Sequence, residues 1–217
     1  MKEFDYSRVP HYKFYRFAIK VFGPTFRRIY HIRYKGLENI PKNNKNYIVA
    51  INHTCALDPV FVALAPGIPA LHFMAKIELF KNPVVAWVIT HLYGFPVKRG
   101  QGDTTAVDYA KKIIAENHVL AICPEGKRIK DKNGVPQKAK AGVAIIARDA
   151  GADILPVAIC CKNKIVKGEH VTVCFGETIS SQELNIDENS SRDEIKEAAN
   201  KVMERITEMR ESELSGD

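Results

Sequence analysis

With 217 residues, 46% of them apolar and 26% charged, the chain is long enough for one domain with a substantial core and has an ordinary globular composition. Five cysteines, at 55, 123, 160, 161 and 174, form neither a framework nor a CxxC pair. With no secretory signal, that sets aside a disulfide scaffold and points to a reducing, cytosolic setting. The net charge of +7 is concentrated at one end, because residues 1–35 hold nine Lys and Arg against Glu3 and Asp5.

The same 35 residues carry ten of the nineteen aromatics. Basic and aromatic together suit an anionic surface over an apolar layer, or nucleic acid. Helical spacing favours the first. Lys13, Arg16 and Lys20 share a face at i, i+3 and i+7, while Tyr15, Ile19 and Phe22 line another that Phe14, Phe17 and Val21 widen. No nucleic-acid-binding motif accompanies the patch, so no nucleic-acid partner is expected. Residues 1–30 are therefore expected to form a basic amphipathic helical arm in a membrane interface, broken at Gly23-Pro24, with a second short helix over 25–30. The competing reading is an ordinary amphipathic helix packed on its own domain. Residues 59–75 and 82–97 lack Asp, Glu, Lys and Arg but fall short of the roughly 20 residues a membrane span needs.

Residues 31–217 read as one α/β domain. A strand at 32–35 leads through Gly36-Leu37-Glu38-Asn39-Ile40-Pro41 into a polar turn at 41–46. Residues 47–51 are apolar and rich in β-branched side chains, the pattern of a buried strand. The turn Asn52-His53-Thr54-Cys55-Ala56-Leu57-Asp58-Pro59 follows, then a helix in which Asp58 caps free amides and Pro59 takes the first position. A strand near 72–75, a helix from Asn82-Pro83 to about 91 and a short edge strand at 96–99 come next. Asp103 or Thr104 caps a helix through 116 whose buried face is Val107, Ala110, Ile113 and Ile114. The strand 119–123 ends in Pro124-Glu125-Gly126-Lys127-Arg128, before a Lys-rich loop at 129–138. A helix over about 139–150 stops at Gly151, and strands follow at 154–159 and 171–175. Ser191 and Glu194 form a capping box for an amphipathic helix to about residue 209. This alternation predicts an α/β fold with a mainly parallel mixed sheet flanked by helices.

Within that frame His53 and Asp58 stand out. At 3.6 residues per turn an offset of five would carry them apart on a continuous helix, whereas a loop bent over a helix N-terminus lets them meet. A carboxylate that holds an imidazole in one tautomer makes a general base, and open α/β sheets place their chemistry at the C-terminal ends of strands. Taken alone, the pair is better explained as a cap and a loop histidine.

Four segments at strand ends change that balance: Asn52-His53…Asp58-Pro59, Gly94-Phe95-Pro96-Val97-Lys98-Arg99-Gly100, Pro124-Glu125-Gly126-Lys127-Arg128, and Ile154-Leu155-Pro156-Val157-Ala158-Ile159. In order and spacing they resemble the four blocks of the glycerophospholipid acyltransferase family, most closely the bacterial 1-acylglycerol-3-phosphate acyltransferases, over about residues 30–180. The resemblance implies that His53 takes the proton from an acceptor hydroxyl and Asp58 orients it. The hydroxyl attacks the thioester of acyl-CoA or acyl-carrier protein, giving phosphatidic acid when the acceptor is 1-acylglycerol-3-phosphate. Lys98, Arg99, Glu125, Gly126 and Arg128 would bind the acceptor's glycerol phosphate, since an Arg fork matches a phosphate with paired hydrogen bonds. Asn52, Lys127 and Lys140 are further candidates, and Glu125 would position Arg99, Arg128 or a glycerol hydroxyl. The enzyme would sit peripherally on the cytoplasmic face of the cell membrane, with an anionic lipid surface as partner and an acyl groove between residues 59–74 and 82–93.

No cofactor beyond the acyl donor is implied, and His72, His91 and His118 show no metal-ligand spacing. The family's third block has Thr after Glu-Gly, often followed by Arg-Ser. Here Lys127-Arg128-Ile129 adds a cation and removes a hydroxyl, which leaves the acceptor open to another lysolipid or glycerol-3-phosphate. A catalytically silent lipid-binding module is the reading from a different class. Cys55 and Cys123 offer an acyl-cysteine route, against which stands the plainer role of a small buried hydrophobe.

Overall fold

The computed structural model describes residues 4–42, 46–100, 102–128 and 138–216. Its strands are β1 (Arg33–Lys35), β2 (Ile48–Ile51), β3 (Leu71–Lys76), β4 (Gly94–Val97), β5 (Val119–Ile122), β6 (Ile154–Cys160) and β7 (Thr172–Phe175). Its α-helices are α1 (Lys13–Ile29), α2 (Asp58–Ala63), α3 (Pro83–His91), α4 (Thr104–Ala115), α5 (Gly142–Ala150) and α6 (Arg192–Ser215). The strands form one sheet in the order β1-β7-β6-β2-β5-β3-β4. All neighbours run parallel except β6 and β7. The expected Lys-rich loop lies outside the described residues except for Lys138, as does part of the polar turn, residues 43–45.

The apolar run of β2 follows from helices covering both faces of the sheet. Ile48 and Ala50 join the core under α4, α5 and α6, whereas Val49 and Ile51 join the core that contains Phe61 and Val62 of α2. The order of the strands then places the turns. The chain leaves β2, skips one place to β3 and β4, and returns as β5 in the gap before crossing to β6 on the far side of β2. The turns after β2 and β5 therefore emerge side by side at the C-terminal ends of parallel strands.

Two helices depart from the sequence expectation. α1 does not break at Gly23-Pro24 but runs through it. Proline removes one backbone donor, whose partner would be the Lys20 carbonyl on an exposed side of the helix, and tertiary contacts outweigh that loss. Gly23 lies so close to Leu64 that an added Cβ would sit 2.9 Å from its Cδ2. Arg27 also donates to the Leu64 carbonyl, and the Tyr30 and Phe61 rings meet edge-on at 5.1 Å. At the other end of α1, Tyr15 is buried and its hydroxyl accepts the Leu71 N–H at 3.4 Å. α6 starts at the expected capping box but continues to Ser215, past residue 209, because Arg210 is still buried and Leu214 still packs on the core. None of the described helices is long and apolar enough to cross a membrane.

Candidate active site

Asn52 closes β2. Its Oδ1 accepts the Ile159 N–H at 2.7 Å and its Nδ2 donates to the Ile159 carbonyl at 3.1 Å, so the side chain carries the sheet pairing one residue beyond the backbone. Its amide is thus engaged in holding the turn. The chain then loops over the start of α2 and brings His53 Nδ1 to 2.8 Å from Asp58 Oδ2. Asp58 is fully buried, and His53 is 9% exposed.

Asp58 sits where a helix start was expected, but its carboxylate does not cap α2. It turns back and accepts from the loop before it: the Thr54 N–H at 2.8 Å, the Cys55 N–H at 2.9 Å and the Thr54 hydroxyl at 2.7 Å. Those donors compensate the burial of a charge and fix the oxygen that faces His53. A carboxylate only accepts, so Nδ1 carries the hydrogen, and in the neutral ring the lone pair lies on Nε2. Such an imidazole can take a proton at Nε2. Thr54 was not singled out from the sequence, because a hydroxyl's partner depends on the path of the loop; a small Ser or Thr beside a His…Asp turn is the signal that could have found it.

The turn after β5 reaches this loop from the side. Glu125 is 1% exposed, and its Oε2 accepts the backbone N–H of His53 at 3.0 Å. The glutamate expected beside the phosphate therefore braces the histidine's own backbone. Gly126 follows with φ of +70°, where an L side chain is strained, and a Cβ there would sit 3.2 Å from Lys140 Cγ. Lys140 in turn donates its N–H to the Pro124 carbonyl at 2.7 Å, so it lies against the same turn.

Arg99, Lys127, Arg128 and Lys140 are exposed, as is Lys98, whose backbone N–H is held by Asp103 at 2.8 Å. Two of these cations act on the turn electrostatically. Burial, then the Asp58 and Glu125 carboxylates, push the Cys123 thiol well above its ordinary value, against the pull of Arg99. Burial and then Asp58 push the Cys55 thiol up to about 12, against Arg128. Both shifts favour the protonated, poorly nucleophilic thiol, which weighs against the acyl-cysteine route.

Beside α2 lies an apolar cavity of about 170 Å³. Its walls include Tyr15, Ile19 and Phe22 of α1, Val60 and Leu64 from the α2 segment, and Phe73 of β3. The cavity does not lie between 59–74 and 82–93, where a groove was expected: α1 supplies its second wall, and from 82–93 only Leu92 takes part.

A family model described as Acyltransferase matches residues 31–160. A 1-acyl-sn-glycerol-3-phosphate acyltransferase of Streptococcus pneumoniae is 30% identical over 155 residues, covering 70% of this chain and 56% of the relative. One from Bacillus subtilis is 27% identical over 121 residues, covering 56% and 58%. The chain thus matches little more than half the length of either relative. Among solved structures, the 1-acyl-sn-glycerophosphate acyltransferase PlsC of Thermotoga maritima shares the fold, with a TM-score of 0.68 at 24% identity over 93% of this chain and 81% of that one.

Proposed function

This chain belongs to the acyltransferase family, and from that premise we propose that it acylates the free sn-2 hydroxyl of 1-acylglycerol-3-phosphate to give phosphatidic acid. The observation that carries the reading is the His53–Asp58 pair, with Nδ1 bonded at 2.8 Å and Nε2 facing away from the carboxylate. The names of the relatives in Streptococcus and Bacillus support the choice of acceptor.

In this reading His53 Nε2 takes the proton as the hydroxyl oxygen bonds to the thioester carbonyl carbon of acyl-CoA or acyl-carrier protein. Asp58 stabilises the imidazolium, the C–S bond breaks, and the departing thiolate recovers the proton. Thiolate is a good enough leaving group that no covalent enzyme intermediate is needed. Arg99, Arg128 and Lys140 bind the phosphate, Lys98 and Lys127 add to the local positive field, and the cavity beside α2 takes acyl-chain carbons. The basic row on α1 draws the protein to an anionic leaflet, where acceptor and product both reside.

The test is transfer of radiolabelled acyl chains to lysophosphatidic acid, with acyl-CoA and acyl-carrier protein as donors, for wild type, His53→Ala and Arg128→Ala. Phosphatidic acid from wild type, none from His53→Ala, and a KM for acceptor raised roughly ten- to hundredfold in Arg128→Ala are expected. Equal turnover by His53→Ala would sink the mechanism. Product only with glycerol-3-phosphate or another lysolipid would reassign the head group, to which Lys127 adds a cation.

A further inference from the structure

α3 is an apolar helix turned inside out. Its sequence, Pro83-Val84-Val85-Ala86-Trp87-Val88-Ile89-Thr90-His91, has no Asp, Glu, Lys or Arg, yet none of its residues is buried. Val84 is 70% exposed and Trp87 50%. A surface helix ordinarily turns its apolar stripe to its own core; this one presents it outward.

The helix is nevertheless firmly held. Asn82 caps it by accepting the Val84 and Val85 N–H groups at 3.0 and 3.2 Å. Trp87 stacks on His91 at 4.2 Å, and the Phe14 ring of α1 meets Trp87 edge-on at 5.1 Å. Phe14, Phe17 and Val21 recur at i, i+3 and i+7 on that flank of α1, and Phe17 and Val21 are exposed. The adjoining stripe of α1 carries Lys13, Arg16 and Lys20, all exposed. An apolar strip two helices wide is thus bordered by cations. No Asp or Glu occurs between Asp5 and Glu38, or between Glu78 and Asp103, so neither helix carries an acidic residue.

We propose that α3 is a second lipid-inserting element, and that α1 and α3 together seat this face on an anionic bilayer leaflet. Val84, Trp87 and Val88 lie below the phosphates, and Lys13, Arg16 and Lys20 lie at their level. The proposal rests on the membrane reading of α1 given above and extends it from charge attraction to a defined depth and orientation. A second copy of the chain on the same strip would bring two basic rows together with no acidic residue on either helix to offset them. A leaflet containing anionic lipid supplies the missing charge.

Trp87 is the single tryptophan of the chain, so tryptophan emission, excited where the eight tyrosines do not absorb, reports on α3 alone. The full chain is mixed with vesicles of phosphatidylcholine containing phosphatidylglycerol, and binding is followed in parallel by sedimentation. The expected result is a blue shift of Trp87 emission and strong quenching by lipids brominated on the upper acyl chain. The double variant Val84→Glu, Val88→Glu alters exposed positions outside the site. It should bind these vesicles about tenfold or more weakly while keeping wild-type turnover of a short-chain acceptor in solution. Vesicle binding without a shift or quenching would overturn the role of α3 and leave α1 as the membrane contact. Absence of vesicle binding would overturn both. A blue shift in lipid-free solution that tracks a doubling of mass by light scattering would assign the face to a second copy and overturn the proposal.

Discussion

Glu125 and His53 are joined across 72 residues of sequence, the Oε2 of one accepting the backbone N–H of the other at 3.0 Å. The bond ties the turn after β5 to the turn after β2 and sets the position of the histidine from behind. Glu125→Ala leaves a buried donor without its acceptor, and a loss of about 1–3 kcal/mol in urea unfolding is expected. Glu125→Gln keeps a carbonyl acceptor and should lie closer to wild type. Identical midpoints for Ala and wild type would show that the bond contributes nothing to the fold.

Thr54 offers a finer probe of the pair. Its hydroxyl donates to Asp58 Oδ1 at 2.7 Å, while its N–H holds Oδ2. Thr54→Val removes the first and retains the second. Asp58 then loses one of the donors that fix its carboxylate, so the oxygen facing His53 Nδ1 is held less firmly. A several-fold fall in kcat with little change in KM should follow, and Thr54→Ser should restore kcat. A lowered kcat that Thr54→Ser fails to restore would reduce Thr54 to a packing role.

Cys55 donates its thiol to Asp58 Oδ1 at 3.3 Å and holds the Leu57 N–H at the same distance. A serine hydroxyl can make both bonds. With the thiol pushed up to about 12 by burial first and Asp58 second, alkylation by iodoacetamide should be slow near neutral pH. Cys55→Ser is expected to keep turnover within a few-fold of wild type in the lysophosphatidic acid assay. Complete inactivation would restore the nucleophilic alternative.

His72 gives the fold an acid limit. Burial, then His118 and His11, hold it down to about 3 from an ordinary value of 6.5. Between those values the unfolded chain binds a proton that the folded chain refuses. Stability is therefore full above about 6.5 and falls as pH drops, by up to about 1.4 kcal/mol per pH unit for this one proton. His72→Phe keeps a ring beside Tyr93, 4.6 Å away in the native packing, and should flatten the curve by that amount between pH 6 and 4. Urea midpoints across this range decide it, since parallel curves would exclude His72 as the responsible group.

The fold divides into features that local sequence dictates and features that distant residues decide. The β2 run was legible because a strand covered on both faces needs an unbroken apolar stretch, and the His53–Asp58 pair because three further segments at strand ends accompany it, the offset of five alone being weak. Asp58 was placed correctly at the start of α2, but propensity cannot tell whether a carboxylate turns to the amides ahead of it or behind it. Gly23-Pro24 reads locally as a breaker. What carries α1 through it are Leu64 and Phe61, 41 and 38 residues beyond Gly23, and no local pattern points to them. Glu125 was picked out as a site residue, but the same limit hid its bond to the His53 backbone, because its sequence neighbours are cations.

The Ile159 amide is held by a side chain, the Oδ1 of Asn52. Its strand is buried at every position and flanked on both sides by other strands, so its surroundings exchange slowly with solvent. Deuterium uptake at this one N–H therefore times the release of Asn52, and with it the loosening of the turn that carries His53, independently of any substrate. A backbone proton deep in the sheet becomes a clock for the site at its edge.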